Sequence, residues 1–563
     1  MTAERTPPGA KRLSILGVTF EHPVAFWSGV IAVITGTLMQ LPAYFNAADM
    51  DYMLDGMGFD TTMSVGMALM IIGIAVTAYG LIPRLSSVPQ GAPSRIRVQA
   101  LDDAPITKAH VALILVMAAA ITIDVMKPTT LAFVAPGASA EYGLRSALNP
   151  DSDGLPIALY PLSGISGTVI GSFIWGWLAD RIGRRAAILL ASVMFIATST
   201  CGAMPAYEIN LVMCFIMGLG VGGMLPIIFS LVSETIPARH RGWIVVLIGG
   251  DVAGAYIIMS WLAGTIGASD SYGWRSLWLI GIPISVLLVL LNRFIPESPR
   301  FLLQRGRDDE ARAVMERYGV AVTEVDESEL AREQVVTSGY RQLFRHPFTG
   351  LTGVLVLLAI GIGAIQYGFQ QWIPSNLQKL GYEEVDASRI LRDSALIGFP
   401  LNFPIALLYG YWSSKRTIII MAVVTAAALI GFVFAGDSVA DDSTLLHILL
   451  IVPIWGISSL TAVTAAYASE IYPTRIRARG TGLAAAGTKF GGVAILAAVA
   501  AALAAPSISV TALLGAIPLV GAIILMMLFG IETRKKGLEQ ITAEELSAGG
   551  PRGGAQPLAG TAD

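Results

Sequence analysis

Long apolar runs, separated by short polar segments, dominate this chain from residue 23 to residue 530. A helix that crosses the roughly 30 Å apolar core of a bilayer at 1.5 Å per residue needs about 20 apolar residues. Windows that meet this requirement begin near residues 23, 62, 108, 157, 186, 209, 243, 275, 348, 389, 416, 444, 480 and 508. The pattern predicts an all-α membrane protein with about fourteen spans, which we number 1 to 14.

Basic residues collect in alternate connections between these spans. Lys11 and Arg12 precede span 1, and Arg181, Arg184 and Arg185 follow span 4. The connection after span 1 contains four aspartates and neither lysine nor arginine. Because short cytoplasmic connections are enriched in Lys and Arg, we expect both termini in the cytoplasm and the chain in the plasma membrane, as a bacterial inner-membrane protein.

An internal repeat divides the chain into two similar parts. The segment that runs from Glu234 through Pro237 to Arg241 recurs with the same spacing, starting at Glu470 and ending at Arg477. A second echo pairs the residues at 176–181 with those at 410–415, so that Asp180 aligns with Ser414. Many transporters are built from such paired halves, with the substrate site near the midplane between them.

The repeat and the composition of the connections predict five parts. Residues 1–107 hold a cytoplasmic N-terminus and spans 1 and 2, which have no partner in the second half. The other parts are a first six-helix half at 108–295, a cytoplasmic linker at 296–347 with a short amphipathic helix at 308–318, a second six-helix half at 348–530, and a cytoplasmic tail at 531–563. The tail is rich in Gly, Ala and Pro and is expected to be largely disordered.

These motifs resemble those of a known family. The loop sequence Gly176-Trp-Leu-Ala-Asp180-Arg181-Ile-Gly183-Arg184-Arg185 resembles the signature of the major facilitator superfamily, and it lies between the second and third helices of the repeated body. The segments at 296–302, 470–477 and 532–539 resemble its sugar-porter and organic-ion branches. The resemblance implies a twelve-helix fold that alternates between outward-open and inward-open states, with spans 1 and 2 as additions. Because Ser414 stands where the first half has Asp180, we expect the loop of the second half to close the cytoplasmic side less firmly.

The charged loop residues are candidates for closing the cytoplasmic side. Asp180 can accept hydrogen bonds from a facing arginine or helix N-terminus, and the arginines can pair with the glutamates of the repeated motif. The predicted gating residues are Asp180, Arg184, Arg185, Glu234, Arg241, Glu470 and Arg477. The alternative is that these arginines only fix the orientation of the chain.

Four ionisable residues lie inside the predicted spans: Asp124, Lys127, Asp251 and Lys489. Each costs about 2.5–3.5 kcal/mol on insertion scales, so such residues usually face a cavity or one another. Lys489, near mid-membrane in span 13, is the first candidate for a substrate contact. Its place resembles that of the basic residue with which organic-anion members of the family bind a carboxylate. The alternative is a buried cation paired with a carbonyl or carboxylate.

Asp124 and Lys127 lie three residues apart on one face of span 3, where they either neutralise each other or act in transport. In the second case Lys127 contacts the substrate and Asp124 carries the proton, since a buried carboxylate can cycle between charged and neutral forms. Asp124 resembles an acidic position of the aromatic-acid:proton symporters, although those carry a pair of aspartates there. Asp251 in span 7 is a candidate for pairing with Lys489 or for relaying a proton.

Span 9 ends in a polar and aromatic run that contains Gln366, Tyr367 and Gln370. These side chains either hydrogen-bond a polar substrate or join helices to one another.

The glycines at 218–223 fit a dinucleotide-binding pattern, but they lie inside an apolar span and follow no strand. We interpret them, with those at 167, 171, 487 and 491, as positions of close helix approach.

Composition excludes several other classes. Only 14% of the 563 residues are charged, the net charge is −3 and the mean hydropathy is +0.66, so nucleic acid is not an expected partner. Cys201 and Cys214 have no metal-ligand spacing and are interpreted as packing residues. No nucleophile and base pair is evident in the sequence, and we expect neither an enzyme nor a cofactor.

The sequence therefore predicts a secondary active transporter that moves a small organic solute by alternating access. We interpret it as a symporter of an organic anion, driven by the proton gradient. Two alternatives remain. One is an exporter of drug-like or lipid-like compounds, in which the buried charges only pack. The other is a membrane receptor or scaffold, in which spans 1 and 2 contact a partner or lipid.

Overall fold

The structure is a computed structural model. It describes residues 13–15, 18–20, 22–82, 105–268, 273–319, 340–345, 348–472, 474–501 and 507–533. Several side chains within these ranges are outside the described set, among them those of Arg241 and Arg477, two of the predicted gating residues. The predicted tail also lies almost wholly outside the described residues.

Fourteen helices among the described residues are long and apolar enough to cross a membrane, which confirms the predicted architecture. Spans 1 and 2 are Pro23–Asn46 and Thr61–Leu81. The first half comprises spans 3 to 8, at Lys108–Glu141, Leu159–Ile182, Arg184–Ala203, Tyr207–Val232, Gly242–Gly267 and Ser276–Phe294. The second half comprises spans 9 to 14, at Thr349–Lys379, Glu384–Trp412, Ser414–Asp441, Ser443–Glu470, Arg479–Ala501 and Ile508–Phe529.

Small elements flank the spans. An antiparallel ribbon of Leu13–Ile15 and Val18–Phe20 precedes span 1 and was not predicted. Short helices at Pro299–Gln304 and Asp308–Arg317 lie in the linker, and the second confirms the predicted amphipathic helix.

Spans 1 and 2 form a hairpin, which we call the leading pair. Glycines allow its two helices to approach closely, because a Cβ on Gly73 would lie only 2.8 Å from the carbonyl oxygen of Gly29. Both helices pack on span 5. As a result 94% of the apolar stretch of span 5 is buried, against 44% in span 11, the corresponding helix of the second half.

The predicted close approaches at glycine are present in both halves. A Cβ on Gly218 would lie 1.9 Å from the carbonyl oxygen of Gly164, and a Cβ on Gly491 would lie 2.3 Å from that of Ile360. Neither position therefore admits a larger residue without a shift of backbone. The glycines at 218–223 serve helix packing, as interpreted from the sequence.

Several spans are interrupted near the middle of the bundle. Span 9 consists of an α-helix at Thr349–Ala364, a π-helical turn at Ile365–Phe369, a 3-10 turn at Gln370–Trp372 and a second α-helix at Ile373–Lys379. Span 3 contains Pro128 and Pro136 within its helix. Interruptions of this kind are common at functional sites because they redirect side chains and free backbone groups.

The two halves contact each other along span 7. We call the end of the bundle that carries Glu234 and Glu470 the motif end. Near it, a Cβ on Gly242 would lie 2.9 Å from Oε1 of Glu470. In the middle, Asn402 donates to the carbonyl oxygen of Gly250, and near the other end a Cβ on Gly264 would lie 3.1 Å from the Cβ of Ser388. The two halves therefore contact each other along the whole length of span 7.

Candidate functional site

A polar cavity, which we call the central cavity, lies between the two halves. Its lining comes from spans 3 and 7 of the first half and span 9 of the second: Pro128, Thr129, Ala132, Tyr256, Gln366, Tyr367, Gln370 and Gln371. The π-helical and 3-10 turns of span 9 carry its four lining residues. The structure thus brings together the three residues predicted in this run, and none of the eight lining residues is charged.

Two buried polar groups of the lining have no hydrogen-bond partner among the described residues. They are the hydroxyl of Tyr256 and the Nε2 atom of Gln371. A buried donor without an acceptor costs about 1–3 kcal/mol, which a polar substrate or water can recover. Sequence reasoning missed both residues. Gln371 lies in the same polar run as Gln370, whereas a single tyrosine in apolar span 7 gives no signal.

Asp124 lies one helical turn before Pro128 in span 3. Its side chain is fully buried, and neither carboxylate oxygen has a hydrogen-bond partner among the described residues. Pro128 has no N–H group to donate to the carbonyl oxygen of Asp124, so the helix is weakened at this point. Asp124 interacts electrostatically with Lys489 of span 13 and Tyr367 of span 9, both in the second half. It therefore acts across the interface between the halves.

Lys489 joins the two halves directly. Its ammonium donates to the hydroxyl of Ser172 in span 4 and, over 2.6 Å, to the carbonyl oxygen of Gly222 in span 6. It forms no ion pair with Asp124 within 4 Å, and it is not part of the lining of the central cavity. This geometry matches the alternative in which the buried cation is held by a carbonyl.

Lys127 and Asp124 do not neutralise each other. The ammonium of Lys127 donates to the carbonyl oxygen of Phe195, over 3.0 Å, and to the hydroxyl of Ser199, both in span 5. It therefore points into the first half, not toward the central cavity. The three-residue spacing predicts that the two side chains lie near one face of span 3. It does not predict which residues of other spans each side chain contacts.

Asp251 does not pair with Lys489. It precedes the middle helix of span 7 and accepts a hydrogen bond from the hydroxyl of Thr122 in span 3. The contact lies within the first half. The predicted pairing with Lys489 is absent, and the role of Asp251 in proton relay stays a prediction.

At the motif end, Arg184 connects two of the predicted gating residues. Its Nη2 atom lies 3.3 Å from Oδ1 of Asp180 and 3.7 Å from Oε1 of Glu234. Glu234 also accepts hydrogen bonds from the hydroxyls of Ser230 and Ser298. The end of span 4, the start of span 5, the segment that follows span 6 and the start of the linker are thus joined.

The prediction that Arg185 pairs with a glutamate of the repeated motif is wrong. Its guanidinium donates instead to Oδ1 of Asn292 in span 8, over 3.2 Å. The reason is helix phase, because Arg184 and Arg185 are adjacent in a helix and their side chains point about 100° apart. Only Arg184 faces the glutamate.

Glu297, which was not among the predicted site residues, caps the N-terminus of span 5. Its carboxylate accepts from the backbone N–H groups of Arg184, Arg185 and Ser298 at 2.8, 3.3 and 2.9 Å. Burial raises the pKa of the Glu297 carboxyl, and the N–H groups and the Arg184 guanidinium oppose that rise. The segment at 296–302 was noted for its resemblance, but its partners are backbone groups that no side-chain pattern reveals.

The second half repeats this arrangement with hydroxyl groups. Glu532 accepts from the backbone N–H of Ser414 at 2.9 Å and from the hydroxyls of Ser413 and Ser414. Glu470 accepts from the hydroxyls of Tyr409 and Thr533 at 2.8 and 2.6 Å.

The alignment of Ser414 with Asp180 is therefore wrong in three dimensions. Span 5 starts at Arg184 and span 11 starts at Ser414, so these two residues occupy equivalent places. The sequence echo failed because it matched the end of the preceding helix, which in span 10 finishes in a π-helical turn. Glu297-Ser298 and Glu532-Thr533 form a further pair of the internal repeat.

The end opposite the motifs carries a buried ion pair. Arg275 Nη2 lies 2.6 Å from Oε1 of Glu141, and the side chains are 0% and 2% exposed. Glu141 also accepts from the indole of Trp274 and from the backbone N–H groups of Leu54 and Asp55, which follow span 1. The leading pair is thus joined to the first half at this end as well as along span 5.

Comparisons with known proteins agree with this architecture. The family model of the Major Facilitator Superfamily matches residues 111–459. The niacin transporter NiaP of Acinetobacter baylyi is 30% identical over 70% of this chain and 88% of its own length. The 4-hydroxybenzoate transporter PcaK of the same organism is 26% identical over 71% and 86%. Among solved structures, the proton:xylose symporter XylE bound to a bromodeoxyglucose aligns with a TM-score of 0.61 at 18% identity, covering 77% of this chain and 98% of that one.

Proposed function

Because the chain belongs to the major facilitator superfamily and is a secondary transporter integral to the membrane, we propose that it carries a small organic anion together with a proton. The observation that supports this proposal most directly is the placement of Asp124 and Lys489. Asp124 is buried in the first half without a hydrogen-bond partner among the described residues, and the charge of Lys489 in the second half acts on it. The two residues therefore respond to each other's charge state.

Charge balance couples the two ligands. While Asp124 is ionised, its negative charge offsets the positive charge of Lys489, and the region attracts little further charge. Once Asp124 binds a proton, Lys489 is left uncompensated in a medium of low dielectric constant, where its attraction for an anion is strong. Proton and anion therefore bind more favourably together than separately, which is the requirement for symport.

Alternating access makes Lys489 available to the anion. In the structure the ammonium is held by Ser172 and Gly222 of the opposite half. Separation of span 13 from spans 4 and 6 breaks these two bonds, and an anion in the opened cavity replaces them. The unpaired groups of Tyr256 and Gln371 then orient the polar part of the substrate.

The known relatives support this class of substrate. PcaK is named for 4-hydroxybenzoate, an organic anion at neutral pH, and NiaP is named for niacin. The distribution of basic residues supports an orientation with the motif end and both termini in the cytoplasm, in a bacterial inner membrane.

Uptake by proteoliposomes tests the proposal. With radiolabelled carboxylates, wild-type protein is expected to accumulate substrate when an inward proton gradient is imposed. Asp124→Asn is expected to keep exchange of substrate across the membrane but to lose the accumulation driven by the gradient. Lys489→Ala is expected to weaken anion affinity at least tenfold, equal to about 1.4 kcal/mol, whereas Lys379→Ala, exposed at the end of span 9, serves as a control without effect.

Two results would contradict parts of the proposal. Unchanged anion affinity in Lys489→Ala rules out the anion contact. Full accumulation by Asp124→Asn rules out this residue as the proton carrier. If both variants behave as wild type, the buried charges only pack, as the exporter alternative requires.

A further inference from the structure

A second buried lysine lies outside the proposed transport site. Lys127 is 4% exposed, and its ammonium donates to the carbonyl oxygen of Phe195 and the hydroxyl of Ser199. No carboxylate among the described residues lies within ion-pair distance of it. Two of its three N–H groups therefore have neutral acceptors, and the positive charge has no counter-ion in the part of the chain that the structure describes.

A small cavity lies beside this ammonium, between spans 3, 7 and 8. Most of its lining is apolar, and the complete set is Ile123, Met126, Lys127, Thr130, Met259, Leu277, Trp278, Ile280, Gly281 and Ile284. Span 8 comes so close that a Cβ on Gly281 would lie 2.7 Å from Nζ of Lys127. The cavity has room for one small molecule or ion of roughly the size of water.

Trp278, which also lines the cavity, carries a second donor without an acceptor in the described part of the chain. Trp278 is 1% exposed, and its Nε1–H has no hydrogen-bond partner among the described residues. The hydroxyl of Thr130 already donates to the carbonyl oxygen of Met126. The lining therefore offers a positive charge and an indole N–H, both of which only donate.

We propose that this cavity binds a single halide ion, chloride under physiological conditions, between the ammonium of Lys127 and the indole N–H of Trp278. An anion supplies the missing counter-charge and accepts both hydrogen bonds. A water molecule can accept them too, but it adds no charge and must place two protons of its own among mainly apolar neighbours. A carboxylate is too large for the available room.

Thermal unfolding of the purified full-length protein tests the site. At equal ionic strength, sodium chloride and sodium bromide are expected to raise the melting temperature over sodium gluconate by about 2–4 °C, with a saturable dependence on concentration. Lys127→Met keeps the length of the side chain, removes the charge and is expected to abolish the difference. Lys489→Met, at the other buried membrane lysine, is expected to retain it.

Other variants and measurements keep the proposal open to contradiction. Trp278→Phe removes only the indole donor and is expected to shift the saturation of the halide effect to higher concentration. This variant tests the site even if Lys127→Met does not fold. In crystals grown in bromide, anomalous scattering is expected beside Nζ of Lys127. Equal melting temperatures in chloride and gluconate, a halide effect that survives Lys127→Met, or no bromide peak at saturation would each overturn the site.

Discussion

The two halves share one plan but are held together by different groups. In the first half, Arg184 bridges Asp180 and Glu234 at the motif end, and a buried pair of Glu141 and Arg275 closes the other end. In the second half, hydroxyl groups hold the carboxylates of Glu470 and Glu532. In an ion pair the donor is charged as well as the acceptor, which is not so for a hydroxyl donor, and the first half also carries the leading pair on span 5.

The constant feature of both halves is a carboxylate at the start of their third helix. Glu297 and Glu532 each accept hydrogen bonds at the N-terminus of that helix, where free N–H groups and the helix dipole favour negative charge. The donors around the acid differ between the halves, but the acid does not. The internal repeat therefore preserves the acid that caps this helix more strictly than the charged side chains that surround it.

The largest expected effect concerns the buried pair, which has no counterpart among the described ion pairs of the second half. Glu141→Ala leaves Arg275 buried without its carboxylate and removes the acceptor of Leu54 N and Asp55 N. Removing one partner of a buried pair costs about 3–5 kcal/mol. Thermal unfolding in detergent is expected to show a correspondingly large drop in melting temperature.

A partly exposed pair provides the matched control for this prediction. Glu310 pairs with Arg307 in the linker, where the two side chains are 43% and 20% exposed. Glu310→Ala is expected to cost about 0–1 kcal/mol. Equal losses in the two variants would show that the pair of Glu141 and Arg275 does not distinguish the first half.

A smaller effect is expected at the two helix-capping acids, and it should be unequal. Glu297→Gln leaves the new amide NH₂ facing at least one of three backbone N–H donors, none of which can reverse its role. In Glu532→Gln the new amide meets the hydroxyls of Ser413 and Ser414, which can rotate to accept from it. We expect losses of unfolding free energy of about 2 kcal/mol for the first variant and about 1 kcal/mol or less for the second. The reverse order in chemical unfolding would contradict this account of the two halves.

Most of the fold could be predicted from the sequence because apolar length is sufficient to identify a membrane span. The polar run of span 9 could be predicted for a similar reason, since Gln366 and Gln370 are exceptional in an apolar helix. The placement of Tyr367 against the charge of Asp124 needed the structure, because it depends on how the halves meet.

The missed residues share a physical cause. Glu297 binds backbone N–H groups, and Glu141 binds two of them beside Arg275 and Trp274; every residue but proline has such a group, and no sequence pattern marks it. Likewise, the spacing of Asp124 and Lys127 predicts that they share a face of span 3, but it does not predict which residues of other spans they contact. The packing of spans 1 and 2 on span 5 could not be predicted from the sequence either, because it depends on the shapes of the helix surfaces.

The smallest change in stability is expected at Asp180, the member of the motif end that the first half has and the second lacks. Its side chain is 73% exposed, and its only ion pair among the described residues is the one with Arg184, so Asp180→Asn is expected to alter the unfolding free energy by no more than about 0.5 kcal/mol. A gating role nevertheless requires uptake to fall several-fold, because Arg184 loses one of the two carboxylates that hold it. Asp386→Asn, which breaks an exposed pair with Arg389 in span 10, should change neither quantity. If Asp180→Asn transports as wild type does, the contact of Arg184 with Glu234 is sufficient, and the two halves then differ at this end in stability but not in gating.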